Sequence, residues 1–222
     1  MEHMYNVPKK IDKHIERLLH KINSDFETEY IPVKPEEYSE LGQCYYNVEE
    51  KVRRDGGSIH YGWALYESKI LSDAERHAVW EDENESLFDI TPNELGVGEI
   101  LFVSENVSPI IDIDNYRENR IGSASVDDFI LLAKTIADLD NLYGVRVSQI
   151  KRNLPENVRQ YIIHLQTLKN AYSDYLERNS SVAAKCFCES NKAYKNCCSV
   201  KLRKDIQDNL KRIQKELSVF KK

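Results

Sequence analysis

The sequence predicts an α+β fold: a helix packed on an antiparallel sheet, followed by further helices and a small cysteine-rich knuckle. Three observations predict it. Between residues 58 and 105, polar and apolar residues alternate in segments rich in aromatic and branched side chains, the pattern of half-buried strands. Several segments outside that stretch repeat apolar residues every three or four positions, as helices with one buried face do. Four of the five cysteines, Cys186, Cys188, Cys197 and Cys198, fall within thirteen residues. At 222 residues the chain is one large or two small domains. We divide it into an α+β core over 1–124, a helical segment over 125–181 and a cysteine-rich module with a basic helix over 182–222.

Residues 8–24 alternate basic residues with Ile11, Ile15, Leu18, Leu19 and Ile22, a helix with Pro8 in its first turn. FETEYIPVKPEEYSELG, with two prolines, reads as an extended linker or loop. Cys44 to about Arg54 reads as a helix stopped by Gly56-Gly57. SIHYGWALYES, ERHAVWED, SLFDITP and VGEILFVSEN are four strands. The stretch 104–124 fits no single period. Ser125-Val-Asp-Asp opens a helix by capping logic, running to about Gly144, and Pro155 to about Arg178 is a longer one. In the last segment Leu202, Ile206, Leu210, Ile213, Leu217 and Phe220 form one apolar stripe on a basic helix. That stripe is expected to pack on the rest of the chain rather than on a second copy, because a coiled-coil dimer usually needs more heptads.

Net charge is −6, unevenly spread: +7 from residue 182 onward and −13 before it. The acidic body argues against broad nucleic-acid binding there, while the basic tail suits an acidic protein, RNA or the ribosome. No segment has signal-peptide or membrane-spanning character, so a cytoplasmic protein without membrane contact is expected.

The cysteine cluster has the ligand number and closeness of a tetrahedral zinc site. Cys-x-Cys supplies two sulfurs from one tight loop, eight polar, turn-rich residues follow, and Cys197-Cys198 close the set. So polar a segment cannot bury a core of its own and needs a staple. Two disulfides are the rival reading, ranked lower because adjacent cysteines sit awkwardly in separate bridges and nothing marks the chain as secreted. An iron–sulfur cluster would need different spacing. The segment resembles the SEC-C motif, a short zinc-binding element at the carboxyl end of the bacterial preprotein translocase ATPase and of many otherwise unrelated proteins. That motif reads roughly C-x-C-G-S-G-K-K-[YF]-K-x-C-[CH]. Cys186, Cys188, Ser190, Lys192, Tyr194, Lys195, Cys197 and Cys198 match it, whereas Glu189 and Asn191 stand where glycine is usual. The resemblance implies a Zn2+ module that often binds a protein partner.

The fifth cysteine, Cys44, opens a helix, where the dipole favours thiolate. If the strands carrying His77 and Asp89 form a hairpin closed around 82–84, residues 77 and 89 face each other, and His77, Val79, Leu87 and Asp89 share a face. Nucleophile, base and orienter are the parts of acyl-transfer chemistry, with the helix's first N–H groups as oxyanion donors. The segment Cys44–Pro92, with GQCYYNV, GGSIHYGWALYE, ERHAVWED and LFDITP, is similar to small bacterial and phage-associated domains of the transglutaminase-like and papain-like cysteine hydrolase superfamily. The resemblance implies a papain/transglutaminase-like core with Cys44 as nucleophile, His77 as base and Asp89 as orienter. Asn47, Gly62 and Trp63 match motif positions of structural character. Each residue alone also has a bland reading: a packed thiol, a satisfied histidine, a turn-capping carboxylate.

No phosphate-binding glycine loop, dinucleotide fingerprint or H-E-x-x-H occurs. Asp112 and Asp114 read as a solvated turn. Two functions are therefore expected to compete. One is a cysteine hydrolase or amidase acting on peptide, isopeptide or glutamine amide bonds. The other is a non-catalytic adaptor that binds protein through the zinc module.

Overall fold

The structure, a computed structural model, describes residues 5–22, 27–105, 114–146, 152–178 and 185–218. The chain forms two compact units, Met1–Arg120 and Ile121–Lys222. It is a mixed α+β protein with an antiparallel sheet, helices and a carboxyl-terminal cysteine cluster. Among the described residues, no helix is long and apolar enough to cross a membrane.

The first unit holds α1 (Lys13–Lys21), β1 (Thr28–Pro32), α2 (Cys44–Asp55), β2 (Ser58–Glu67), β3 (Leu71–Glu81), β4 (Leu87–Phe88), β5 (Glu99–Ser104) and β6 (Tyr116–Asn119). The sheet order is β1-β5-β2-β3-β4, with β6 also paired to β3. Among the described residues every ladder is antiparallel, with one isolated parallel bridge between Val33 and Asp89.

Alternation along β2 and β3 divides the core. On one face Trp63, Leu65 and Ala74 pack with Ile15, Leu18 and Ile22 of the α1 segment. Further along that face, Ala78 and Ile90 pack with Cys44 and Val48 of α2. The opposite face carries Ile31, Ala64, Val79, Ile100 and Phe102. Gly62 is required where β2 and β5 meet: a Cβ there would stand 2.2 Å from the Val103 carbonyl oxygen and 2.4 Å from the Phe102 ring.

The structure corrects several expectations. The first helix begins at Lys13, not near Pro8, because the Asp12 carboxylate caps it by accepting the His14 and Ile15 N–H groups. The proline-rich stretch contains a strand, β1, at the edge of the sheet, where Pro32 can close a strand at little loss. Part of the unassigned 104–124 stretch is β6. Asp112 lies outside the described residues, and Asp114 pairs with Arg117 at 3.0 Å.

The second unit holds α3 (Ala124–Tyr143), a two-residue ladder of β7 (Val145–Arg146) with β8 (Arg152–Asn153), α4 (Glu156–Arg178), a 3-10 turn (Tyr194–Asn196) and α5 (Cys198–Ser218). Ser123 holds the N-cap position of α3 through its carbonyl, and the Ser125 hydroxyl lies 2.9 Å from the Ser123 hydroxyl. Leu202, Ile206 and Ile213 of the terminal stripe are buried within the chain, while Phe220 lies outside the described residues.

Candidate functional site

Cys44 sits where a tight turn becomes a helix. Gly42 takes a left-handed φ of 73°, and α2 starts two residues later. No side chain of Gln43 caps α2, so the amino end keeps its first N–H groups for other partners. Fully buried Asn47 fixes this corner: its amide donates to the Glu40 carbonyl at 2.8 Å and the Thr91 hydroxyl at 3.1 Å, and its oxygen accepts the Glu40 N–H at 3.0 Å. One side chain thereby ties the approach to Cys44 to the segment just after Asp89.

Asp89 is 1% exposed and held by backbone. Its N–H donates to the Pro32 carbonyl at 3.0 Å, and its carbonyl accepts the Lys34 N–H at 2.7 Å. Its Oδ1 accepts the Thr91 N–H at 2.9 Å. The hairpin register differs by two residues from the expected one. Trp80 pairs with Phe88 and Glu81 with Leu87, which carries Asp89 opposite Val79 and diagonal to His77. The shared face survives because a slip of two keeps side-chain parity.

His77 Nε2 stands 3.1 Å from Asp89 Oδ1, within ion-pair range but off the axis of a straight hydrogen bond. Burial disfavours the imidazolium, but Asp89 and the Cys44 thiol, which both approach the ring, outweigh it and hold His77 well above its ordinary value. β3 pairs with β6 over residues 71–74 and with β4 over 80–81. Among the described residues, 75–79 have no ladder partner on that edge, and His77 meets the thiol in this interval.

Cys44, His77 and Asp89 line one cavity of about 380 Å³. Tyr5, Leu41, Tyr66, Asp73, Glu75 and Thr91 also line it. Sequence reasoning missed Asp73 and Glu75. Their signal was present: residues 73, 75 and 77 alternate onto one face once β3 is extended back to Leu71. Gly62 lies opposite His77, and Trp63 is buried under α1 with its Nε1 donating to Glu105 at 3.1 Å, so both are structural.

In the second unit the four clustered sulfurs all lie within 4.8 Å of one another. A tetrahedron with metal–sulfur bonds of about 2.3 Å needs sulfurs about 3.8 Å apart, so the set fits a metal ion. Cys188 and Cys197 are 3.4 Å apart, and no cysteine is in a disulfide. A small hairpin forms the loop: the Cys186 N–H donates to the Lys192 carbonyl at 2.9 Å, beside a bridge between Lys185 and Ala193. Ser190 pulls the Cys188 thiol down to about 6, toward the thiolate a metal binds. Burial and the neighbouring thiols push Cys198 up, an opposition that a divalent cation relieves.

The knuckle is anchored by Tyr194. Its hydroxyl donates to Asp128 of α3 at 2.7 Å and lies 2.6 Å from the Tyr172 hydroxyl of α4. Arg203 of α5 donates to the other Asp128 oxygen at 2.8 Å. Phe187 packs edge-on against Tyr172 and Tyr175, with ring centroids 5.4 and 5.2 Å away. No protein family, curated protein or solved structure matches the chain.

Proposed function

We propose that the first unit is a cysteine acyl-transfer enzyme, a hydrolase or amidase of peptide, isopeptide or glutamine amide bonds, and that the second unit carries a zinc knuckle. The supporting observation is the convergence of Cys44, His77 and Asp89 on one cavity, with 3.1 Å between His77 Nε2 and Asp89 Oδ1. With Nε2 turned to Asp89, Nδ1 takes the thiol proton. The Cys44 sulfur then attacks the amide carbon, and the first N–H groups of α2 receive the charge on its oxygen. The carbon–nitrogen bond breaks, His77 returns the proton to the leaving amine, and water hydrolyses the thioester. This order of cysteine on a helix, histidine on a strand and aspartate on the next is the order of transglutaminase-like and papain-like hydrolases.

The test is iodoacetamide labelling of Cys44 in folded, zinc-loaded protein, followed across pH by peptide mass spectrometry. Fast labelling at pH 6–7 that is lost in His77→Ala is expected. Slow labelling indifferent to His77 would leave Cys44 a packed thiol.

For the metal, zinc is proposed over other ions because four thiolates on a short loop are its usual structural set. Glu189 and Asn191 both take left-handed φ, 60° and 56°, at the two positions where the SEC-C motif has glycine. That local geometry supports the SEC-C reading. A partner-binding role follows from the basic face of α5, where Lys201, Lys204 and Lys211 are exposed and suit an acidic protein surface or RNA. Binding through it should fall steeply with salt.

A further inference from the structure

Beyond the three residues of the proposed reaction, the cavity has a second acidic region. Asp73, Glu75 and His77 alternate along β3, so their side chains share one face, and Tyr66 pairs with Asp73 across the ladder on that same face. Four carboxylate residues line the cavity, Asp73, Glu75, Asp89 and Glu94, and among the described residues no lysine or arginine does. Asp89 is turned to His77, and Asp73, Glu75 and Glu94 line the rest of the cavity.

Asp73 is 7% exposed. Its Oδ2 accepts the Tyr5 hydroxyl at 3.4 Å and faces Arg117 Nε at 3.3 Å. Its Oδ1 is buried and makes no hydrogen bond of good geometry, with the Asn115 side chain the further donor close to the carboxylate. A carboxylate oxygen left without a well-made hydrogen bond is a standing cost that a donor reaching it removes. Burial pushes Asp73 up to about 6, opposed by Arg117 and by a hydrogen bond from Asn115 and reinforced by Glu75. A metal ion is the poorer occupant: among the described residues only the cysteine cluster brings three or more ligand groups together. An organic cation needs no such convergence, and the Tyr66 ring beside the carboxylates suits one.

We propose that Asp73, with Glu75 and Tyr66, forms a subsite for the cationic side chain of a peptide substrate, a lysine or arginine near the bond that Cys44 attacks. This rests on the acyl-transfer reading of Cys44. The spacing agrees: four residue steps along β3 lead from Asp73 to His77, roughly 13 Å between Cα atoms. A lysine side chain one or two residues from the reacting carbonyl spans that interval.

The experiment uses the full zinc-loaded chain and two matched probes, acetyl-lysyl-leucine and acetyl-norleucyl-leucine chloromethyl ketones, which set the side chain one residue from the reacting carbonyl, with iodoacetamide as a reagent that has no side chain to recognise. The lysine probe is expected to label Cys44 at least tenfold faster than the norleucine probe. Asp73→Asn and the exposed variant Glu75→Gln should each shrink that ratio several-fold while leaving iodoacetamide labelling unchanged. Equal probe rates with normal iodoacetamide labelling would overturn the subsite and leave the acyl-transfer reading standing. If iodoacetamide labelling proves indifferent to His77, that reading fails, and the subsite is decided in Cys44→Ala by nuclear magnetic resonance. Acetyl-lysine methylamide, but not its norleucine analogue, should then shift the amides of residues 71–77. Absence of those shifts overturns it.

Discussion

Cys44 stands beside an imidazole and a carboxylate on a cavity wall, whereas Cys186, Cys188, Cys197 and Cys198 stand beside one another. The difference teaches what fixes a thiol's chemistry. In the first unit the thiol's neighbour is an imidazole on a strand 33 residues away, supplied by the sheet. In the second the neighbours are other sulfurs from one short loop, and mutual repulsion among them is relieved by a cation rather than by a proton acceptor. The first arrangement suits the acyl-transfer chemistry proposed above, the second a metal ion.

The largest expected effect is on the metal. Chelation, or Cys186→Ser, should release one equivalent of zinc and abolish hydrogen-exchange protection around residues 185–200, while the strands of the first unit stay protected. Zinc binding and folding of such a module are linked by on the order of 10 kcal/mol. Less than about half an equivalent of zinc in carefully prepared protein would break the comparison.

Gly62→Ala should destabilise the first unit by about 3 kcal/mol in denaturant unfolding, since the added methyl meets the β5 backbone with no room to move. An unchanged midpoint would mean that the sheet beside His77 is softer than its packing implies.

His77→Ala should slow iodoacetamide labelling of Cys44 at least tenfold at pH 6.5, with no effect on zinc content. An equal loss of zinc would mean the two cysteine sites are not independent.

The pH dependence sharpens the same contrast. The folded value of His77 is raised, so its stabilisation is complete below the ordinary histidine value of about 6.5 and is lost as pH rises through the higher folded value. Wild-type stability should therefore decline above pH 6.5 on a limb that His77→Ala flattens, read by chemical unfolding at fixed ionic strength.

The smallest effect is in the knuckle. Glu189→Gly removes a left-handed non-glycine residue and should stabilise the module by about 1 kcal/mol. A loss of stability instead would show that the Glu189 side chain contributes more than its backbone conformation costs.

The two sites differ in how far they were legible. The cysteine cluster is local, so ligand number and loop polarity could be read from thirteen residues, whereas the left-handed φ of Glu189 and Asn191 came from the structure. Cys44 at a helix start and His77 on a strand were also legible, because glycine stops and period-two alternation mark them. Less legible was the support for Asp89. Its backbone is held by Pro32 and Lys34, in a segment whose prolines masked an edge strand. Asp73 was hidden by a strand start read four residues late, and the hairpin register was read two residues off because turn chemistry at 82–86 fixes it: the Asp82 side chain accepts the Asn84 and Ser86 N–H groups at 2.8 Å.

By itself the sequence determined the α+β character, the helix that begins at Cys44, the strands that follow and the four-sulfur knuckle, because each rests on spacing within a dozen or so residues. The tertiary structure alone decided that β1 anchors Asp89, that among the described residues part of one edge of β3 has no ladder partner beside Cys44, and that Tyr194 of the knuckle is held by Asp128 and Tyr172. Those pairings join residues tens of positions apart, and burial and backbone hydrogen bonding across the folded unit select them, which no local pattern encodes.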